Sequence, residues 1–377
     1  MSLKAEKISV LILGGGLQGL SVAYSLYKIG YTAFVYSHEK VFKKCKFVTG
    51  LADFSKLSAE EVSDFIKEKD ISVVIPTGDK IAAWLSENKQ ELQSKTGAVC
   101  AVEDYDKFNK ASTKSTLLSI CQSNGISVPK TVPLNEGRIE PAAQFVGFPA
   151  LIKPDHSVGA RGITKVQDIE SIKRDLPDIE AKYGTCSLQE YVENRDFYFN
   201  VMLYRYRDGS YAPSVIIKIL RFYPVTGGSS SLCVTVEDSQ LEALCRKTLD
   251  VLDWHGFADF DVLYDKKDGK YKIIEINPRV PASLRAADVS GINYPQIIVR
   301  DALGLAKPDM KYSTGMYLRY LGLDIMWFFK SGKRFSTTPG WFKFFGKNLF
   351  YQDMYKDDWK MSFYTMWEGV RKIFRDR

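Results

Sequence analysis

Phe257-Ala-Asp-Phe-Asp-Val-Leu-Tyr264 and Tyr271-Lys-Ile-Ile-Glu-Ile-Asn-Pro-Arg279 are two strand-forming runs separated by a turn that contains Asp268-Gly269. Asp-Gly between alternating hydrophobic runs signals a β-hairpin. Asp261 and Glu275 each stand seven residues from Asp268, so the hairpin brings them close. Glu275 and Asn277 are two apart and share a face of their strand. Two carboxylates and an amide on one sheet face repel and desolvate badly without a cation. All three offer hard oxygen ligands, which suit Mg2+ (or Mn2+) bridging nucleotide phosphates. An ordinary pair of solvent-facing strand residues is the competing reading at this point.

Upstream, Phe148-Pro-Ala-Leu-Ile-Lys153-Pro-Asp-His-Ser-Val-Gly-Ala-Arg-Gly162 is an apolar strand ending in a lysine, followed by a glycine loop. Lys153 is held on a rigid element. Ser157, Gly159 and Gly162 belong to a loop whose free amides can close over phosphates. A helix expected over 112–123 carries Lys114, which taken alone reads as a surface lysine. Leu188-Gln-Glu-Tyr-Val192 is a strand running into a linker, with Asp196 beyond it. Such a segment offers backbone groups to an adenine edge and an acid to ribose hydroxyls, a pattern common to many strands.

The chain begins differently. A strand over 8–13 leads into Gly14-Gly-Gly-Leu-Gln-Gly19 and a helix, then come strands at 31–36 and 73–76 and a helix at 62–68. Strands alternating with helices at this spacing indicate a parallel, doubly wound sheet, whose strand-end loops line one ligand-binding edge. From Asn109 the texture becomes α+β with antiparallel strands, with no long polar link, so the two parts are expected to pack directly. Gly14, Gly16 and Gly19 match G-x-G-x-x-G, which opens a nicotinamide or flavin oxidoreductase reading. The acid that reading wants is displaced: Tyr36-Ser37-His38 occupies its place and Glu39 comes late. Leu20 stands where a P-loop needs Lys. The oxidoreductase reading also leaves Lys153, Asp261, Glu275 and Asn277 without a role. A non-catalytic nucleotide-binding protein on the same fold is the third reading.

Composition narrows the class. In 377 residues, 45% are hydrophobic and 26% charged, ordinary values for a folded protein. Six scattered cysteines without a C-x-x-C pair, and three histidines, suggest a reduced cytoplasmic protein without a structural zinc site. No signal peptide and no apolar run of membrane-spanning length is evident. The net charge of +7 is localised: residues 311–377 hold 13 Lys+Arg against 6 Asp+Glu, and the first 310 hold 39 of each sign. The same tail holds 19 of the 49 aromatics. A helical cap on the catalytic core is the preferred reading of this tail. A peripheral membrane or envelope-polymer contact and an oligomer interface are the alternatives.

Taken in this order, the segments resemble the ATP-grasp superfamily, which includes biotin carboxylase, the carbamoyl phosphate synthase large subunit and D-alanine–D-alanine ligase. The resemblance covers about residues 1–305 and rests on Phe-Pro-Ala-Leu-Ile-Lys153-Pro, Gln189-Glu-Tyr-Val and Ile274-Glu-Ile-Asn-Pro-Arg279. It implies an α/β Rossmann-like pre-ATP-grasp domain (1–108), an ATP-grasp domain of two α+β subdomains (109–308) and a C-terminal extension (309–377). It implies that Lys114 and Lys153 contact ATP phosphates, that Ser157 to Gly162 is the phosphate loop, and that Glu190, Tyr191 and Val192 form the adenine hinge with Asp196 near the ribose. Asp261, Glu275 and Asn277 would ligate Mg2+, and Arg279 would steady the transferring phosphate or acyl phosphate. Asp at 196 and 261, where relatives often carry Glu, is a departure that puts metal geometry and nucleotide choice in doubt.

Within the superfamily, Gly14-Gly-Gly-Leu-Gln-Gly-Leu-Ser21, Ile75-Pro-Thr-Gly-Asp79 and Arg221-Phe-Tyr-Pro-Val-Thr-Gly-Gly228 look like the D-aspartate ligase-like carboxylate–amine ligases. The implied partners are a small-molecule carboxylate and an amine, with no nucleic acid. Arg221, Lys218 and Thr226 to Ser231 read equally as an acceptor-substrate wall or a plain strand and loop. His156 and His255 are expected to be incidental, and a homodimer stays open.

Overall fold

The computed structural model of the chain describes residues 8–155, 162–193, 196–225 and 227–375. Ser9–Leu13 (β1) is buried along its whole length, because helices cover both faces of its sheet. The alternation of its side chains feeds two cores. Val10 and Ile12 pack with Leu20, Ala23 and Leu26 of Gly16–Tyr27 (α1). Leu11 and Leu13 pack on the other side with Val62, Ile66 and Leu85. Thr32–Tyr36 (β2), Gly50–Ala52 (β3), Ala59–Glu68 (α2), Val73–Pro76 (β4), Asp79–Thr96 (α3) and Val99–Cys100 (β5) complete the unit. The sheet is parallel with order β3-β2-β1-β4-β5. Two of the glycines are sterically required: a Cβ on Gly14 would lie 2.4 Å from Thr77 Oγ1, and one on Gly19 would lie 2.5 Å from the Gly14 carbonyl oxygen.

Tyr105–Ser112 (α4) and Lys114–Ser123 (α5) lead into a second, four-stranded sheet. It contains Thr131–Leu134 (β6), Ala150–Pro154 (β7), Thr164–Val166 (β8) and Cys186–Glu190 (β9), in the order β6-β9-β7-β8. Ile139–Val146 (α6) and Ile169–Tyr183 (α7) close one face over Ile152, Val166 and Leu188. Asp168 caps α7 by accepting from Ser171 N–H, and the Ser171 hydroxyl oxygen accepts in return, a reciprocal cap.

The third sheet has seven strands. Tyr198–Arg205 (β10), Val215–Tyr223 (β11), Ser229–Val236 (β12), Gly256–Asp265 (β13) and Lys270–Asn277 (β14) are antiparallel, with Ser239–Val251 (α8) on one face. Val201 and Leu203 face α8. Met202 and Tyr204 face the opposite way, into the same core as α1, Arg285–Val289 (α9) and Tyr294–Ala302 (α10). The first sheet unit and the seven-stranded sheet thus pack directly on each other.

The basic tail is not separate from this sheet. Tyr317–Arg319 (β15) pairs with β12, and Leu349–Tyr351 (β16) pairs with β15, giving the order β14-β13-β10-β11-β12-β15-β16. Leu321–Lys330 (α11) and Trp359–Arg375 (α12) pack against each other. Asp324 of α11 sits between Arg221 and Arg319, all three essentially inaccessible to solvent. Arg221 Nη2 donates to Asp324 Oδ2 at 3.0 Å, and Arg319 Nε donates to the same oxygen at 2.7 Å. The two guanidiniums also donate to the Pro339 and Lys343 carbonyls, which pins the segment between α11 and β16. Of the two readings of Arg221, the structure takes the structural one: its guanidinium is committed to Asp324. Thr226 lies outside the described residues, and Ser229 to Ser231 begin β12. All six cysteines are buried and free, and among the described residues no helix is long and apolar enough to cross a membrane.

Candidate functional site

β13 and β14 place Asp261 directly opposite Glu275 and Asp259 directly opposite Asn277. Neighbouring Phe260, Val262, Ile273 and Ile276 point to the other face, into the α8 core, which fixes the polar set on the opposite side. Asn200 of β10, opposite Asp261 on its other flank, donates its side-chain amide to Asp261 Oδ1. The carboxylates strain against their setting. Burial, then the Glu275 charge, pushes the Asp261 carboxyl up to about 7. Burial and Asp261 push Asp259 up as well, and Asp259 Oδ1 has no hydrogen-bond partner among the described residues. Asp259 was missed in the sequence reading, although its spacing of two from Asp261 puts both on one face.

The two lysines arrive from elsewhere. Lys114 opens α5 and is buried, contrary to the surface position expected of it in isolation. Its Nζ lies 3.5 Å from Glu275 Oε1. Lys153, on β7 of the four-stranded sheet, is also buried and donates to Gln189 Oε1 at 2.9 Å. Gln189 is itself held by donating to Thr131 Oγ1 at 3.1 Å. Burial draws the Lys153 ammonium down to about 8; Glu275 and Asp261 oppose that shift and Lys114 adds to it. Residues from four elements, α5, β7, β13 and β14, therefore act on one another across the gap between the four-stranded and seven-stranded sheets.

Arg279 follows β14 and bridges to the first sheet. Its Nε donates to Asp79 Oδ1 at 2.7 Å and its Nη2 donates to Asn277 Oδ1 at 3.2 Å. Asp79 begins α3 just beyond β4, on the edge where parallel sheets collect ligands. The glycine turn lies on that edge too, but its anion-binding position is taken: Gly16 N–H, at the start of α1, donates to Glu39 Oε1 at 3.1 Å. A pyrophosphate bound there would have to displace that carboxylate.

The hinge residues lie at the end of β9. Glu190 N–H donates to the Lys130 carbonyl and Tyr191 N–H to the Pro149 carbonyl, while Val192 is buried. The Glu190 carboxylate accepts from Lys272 Nζ and from Lys130 N–H. Lys165 Nζ stands 3.6 Å from the centre of the Tyr191 ring. Asp196 lies on the exposed rim, where Lys266 and Lys333 each donate to it at 2.6 Å and hold its carboxyl down to about 2. Ser157 and Gly159 lie outside the described residues. Gly162 has φ +75°, and a Cβ there would lie 2.7 Å from the Tyr183 ring.

Asp261, Glu275 and Asn277 suit a divalent cation in one specific way. Among the described residues no group of three or more His, Cys, Asp or Glu is placed to cage a metal. Mg2+ is commonly held by one or two carboxylates completed by substrate phosphates and water. A facing carboxylate pair with an elevated Asp261 and an unpartnered Asp259 oxygen is a site short of positive charge, and it fits that mode.

The chain is similar to a known family and to known sequences and folds. The family described as ATP-grasp in the biosynthetic pathway with Ter operon matches residues 212–321. D-aspartate ligase of Enterococcus faecium is 26% identical over 278 residues, covering 69% of this chain and 64% of that protein. The N-terminal section of carbamoyl phosphate synthase large chain from Methanopyrus kandleri is 25% identical over 280 residues, covering 68% and 47%. The chain thus spans less than two thirds of the length of these two relatives. Among solved structures, biotin carboxylase of Campylobacter jejuni superposes with a TM-score of 0.68 at 17% identity, covering 82% of this chain and 74% of that one. N5-carboxyaminoimidazole ribonucleotide synthetase of Thermotoga maritima superposes at 0.60 and 18%, covering 81% and 78%.

Proposed function

We propose that this chain, which belongs to the ATP-grasp superfamily, is an ATP- and Mg2+-dependent ligase that activates a small-molecule carboxylate as an acyl phosphate for attack by an amine. The observation that supports this most is the convergence of Lys114, from helix α5, and Lys153, from the four-stranded sheet, on the Asp261–Glu275 pair. Burying these charged groups together is costly in desolvation, and a metal–nucleotide complex would supply a cation to the carboxylates and phosphate oxygens to the lysines.

Joining a carboxylate to an amine requires a leaving group better than oxide. Transfer of a phosphoryl group from ATP to the carboxylate oxygen, releasing ADP, supplies it. The amine then forms the C–N bond, phosphate departs with the C–O bond electrons, and the amine proton passes to solvent. Lys114 and Lys153 would neutralise phosphate oxygens, a task of electrostatic positioning rather than proton transfer. Asp261, Glu275 and Asn277 would hold Mg2+, which supplies further charge neutralisation when bound. Arg279, oriented by Asp79, would meet the charge that develops on the transferring phosphate and the acyl phosphate. Glu190, Tyr191 and Val192 would border the adenine, and the loop containing Ser157, Gly159 and Gly162 would cover the phosphates. Asp196, held by two lysines, would reach a ribose only by exchanging one of them.

The test is release of phosphate from ATP on addition of paired carboxylates and amines, in the wild type and in Lys153→Ala. Dependence on both added substrates, lost in the variant, supports the proposal. Stabilisation by NADH alone, with no response to Mg-ADP, would overturn it.

A further inference from the structure

Residues 325–352 contain Lys330, Lys333, Arg334, Lys343 and Lys347 and no Asp or Glu. The same stretch leaves Phe329, Phe335, Phe342 and Phe345 in solvent, the last 90% exposed. Part of it is anchored: Phe328 packs on Trp341 with ring centres 4.3 Å apart, and Phe335 and Phe342 gather around it. The exposed rings are therefore the outer layer of a formed cluster. A second set lies on α12, which packs on α11. Met361 and Thr365 of α12 are buried, while Trp359, Phe363 and Trp367 are 73%, 62% and 53% exposed. Spaced by four, these three form one stripe along the helix. By sequence α12 holds Lys360, Arg371, Lys372 and Arg375 against Glu368 alone. Of the two acids just before it, Asp358 is buried and accepts from Met361 N–H, whereas Asp357 is exposed and accepts from the Tyr24 hydroxyl.

Single exposed apolar residues are normal, but a dense aromatic set of this kind marks a docking surface. Its charge pattern selects the partner. The cores of protein–protein interfaces are depleted of lysine, whereas here lysines alternate with the rings. A bilayer surface accommodates both: aromatic rings settle at the headgroup level while flexible basic side chains reach lipid phosphates. We infer that the exposed aromatic and basic patch formed by residues 329–347 docks on the surface of an anionic lipid bilayer.

The experiment is co-sedimentation of the full chain with vesicles of pure phosphatidylcholine and with vesicles of equimolar phosphatidylcholine and phosphatidylglycerol. The wild type is expected to pellet with the anionic vesicles, to stay in solution with the neutral ones, and to be released by high salt. Lys343→Glu/Lys347→Glu should weaken partitioning by at least about five-fold per lysine. Phe335→Ser/Phe342→Ser/Phe345→Ser should abolish it. Both variants should keep the wild-type melting midpoint, which separates lost docking from lost folding and does not depend on the ligase reading. Wild-type protein left in the supernatant with both vesicle types would overturn the inference. So would a lipid-free dimer that the phenylalanine variant converts to a monomer, since the face would then belong to a second copy of the chain.

Discussion

Arg279 Nε donates to Asp79 Oδ1 at 2.7 Å, so the end of β14 is tied to the first turn of α3 in the other sheet unit. The pair aims a guanidinium beside the Asn277 amide and couples two elements that share no strand. Removing the guanidinium should cost transition-state charge stabilisation while leaving the nucleotide's own contacts in place. Arg279→Ala is expected to lower kcat by about 10²–10³-fold. Its dissociation constant for Mg-ADP, measured by calorimetry, should stay within a few-fold of wild type. Asp79→Asn, which keeps the guanidinium but loosens its aim, should fall between the two.

Lys153 makes binding and stability depend on pH in opposite senses. Its folded ammonium titrates near 8, below the ordinary lysine value, because it is buried. Between about pH 8 and 10.5 the unfolded chain binds more protons than the folded one, so this group's contribution to stability rises with pH across that window. Below pH 8 the full cost of the buried charge is present. Lys153→Met should therefore raise the melting midpoint of the ligand-free protein by a few degrees at pH 7, an advantage that shrinks by pH 10. The same variant should lose the stabilisation by Mg-ADP. In the wild type, Mg-ADP affinity should weaken as pH rises through 8, whereas Lys153→Arg should flatten the profile.

How far the sequence disclosed this site follows from the range of the interactions. The Asp261–Glu275 pairing is local to one hairpin, so spacing about Asp268 pointed to it, although the register from the turn (Asp265 opposite Lys270) reaches it only through a shift between Asp261 and Val262. Asp259 was available by the same rule and was passed over. Lys114 was different: on its own helix it has the pattern of a surface lysine, and its partner Glu275 arrives from a strand distant in sequence. Arg221 likewise gave no sign of its partner, because Asp324 arrives from the tail. The glycine turn misled for a physical reason. Its geometry is real, but Glu39 fills the helix N-terminus, a contact that a late acid in a loop does not announce.

Asp261 should make metal binding respond to acid. Its carboxyl sits near 7 through burial and the Glu275 charge. A folded value above the unfolded one means that this group favours the fold below the unfolded carboxyl range, and that the advantage is lost as pH rises through 7. Above pH 7 the ionised pair needs a cation. Affinity for Mn2+ in the presence of ADP is expected to rise by up to about tenfold per pH unit between roughly pH 5 and 7, then level off. Asp261→Asn should bind more weakly and lose most of that slope, leaving only the nucleotide's own titration. Paramagnetic relaxation of water protons by bound Mn2+ reads both quantities. An unchanged slope in the variant would remove Asp261 from the metal site.

The Arg221–Asp324–Arg319 cluster gives a prediction on stability. Replacing Asp324 by Asn leaves two buried guanidiniums facing each other without an anion, and breaking a buried ion network in this way costs about 3–5 kcal/mol. Because Arg221 and Arg319 also hold the Pro339 and Lys343 carbonyls, the damage should spread to the segment between α11 and β16. Asp324→Asn is expected to melt well below wild type and to be cleaved first within residues 331–348 in limited proteolysis. Replacing all three charges together by apolar residues of similar volume should recover most of the midpoint, since no unpaired charge is left behind. A triple variant no more stable than Asp324→Asn would show that the guanidiniums hold the tail through their carbonyl contacts rather than through the carboxylate.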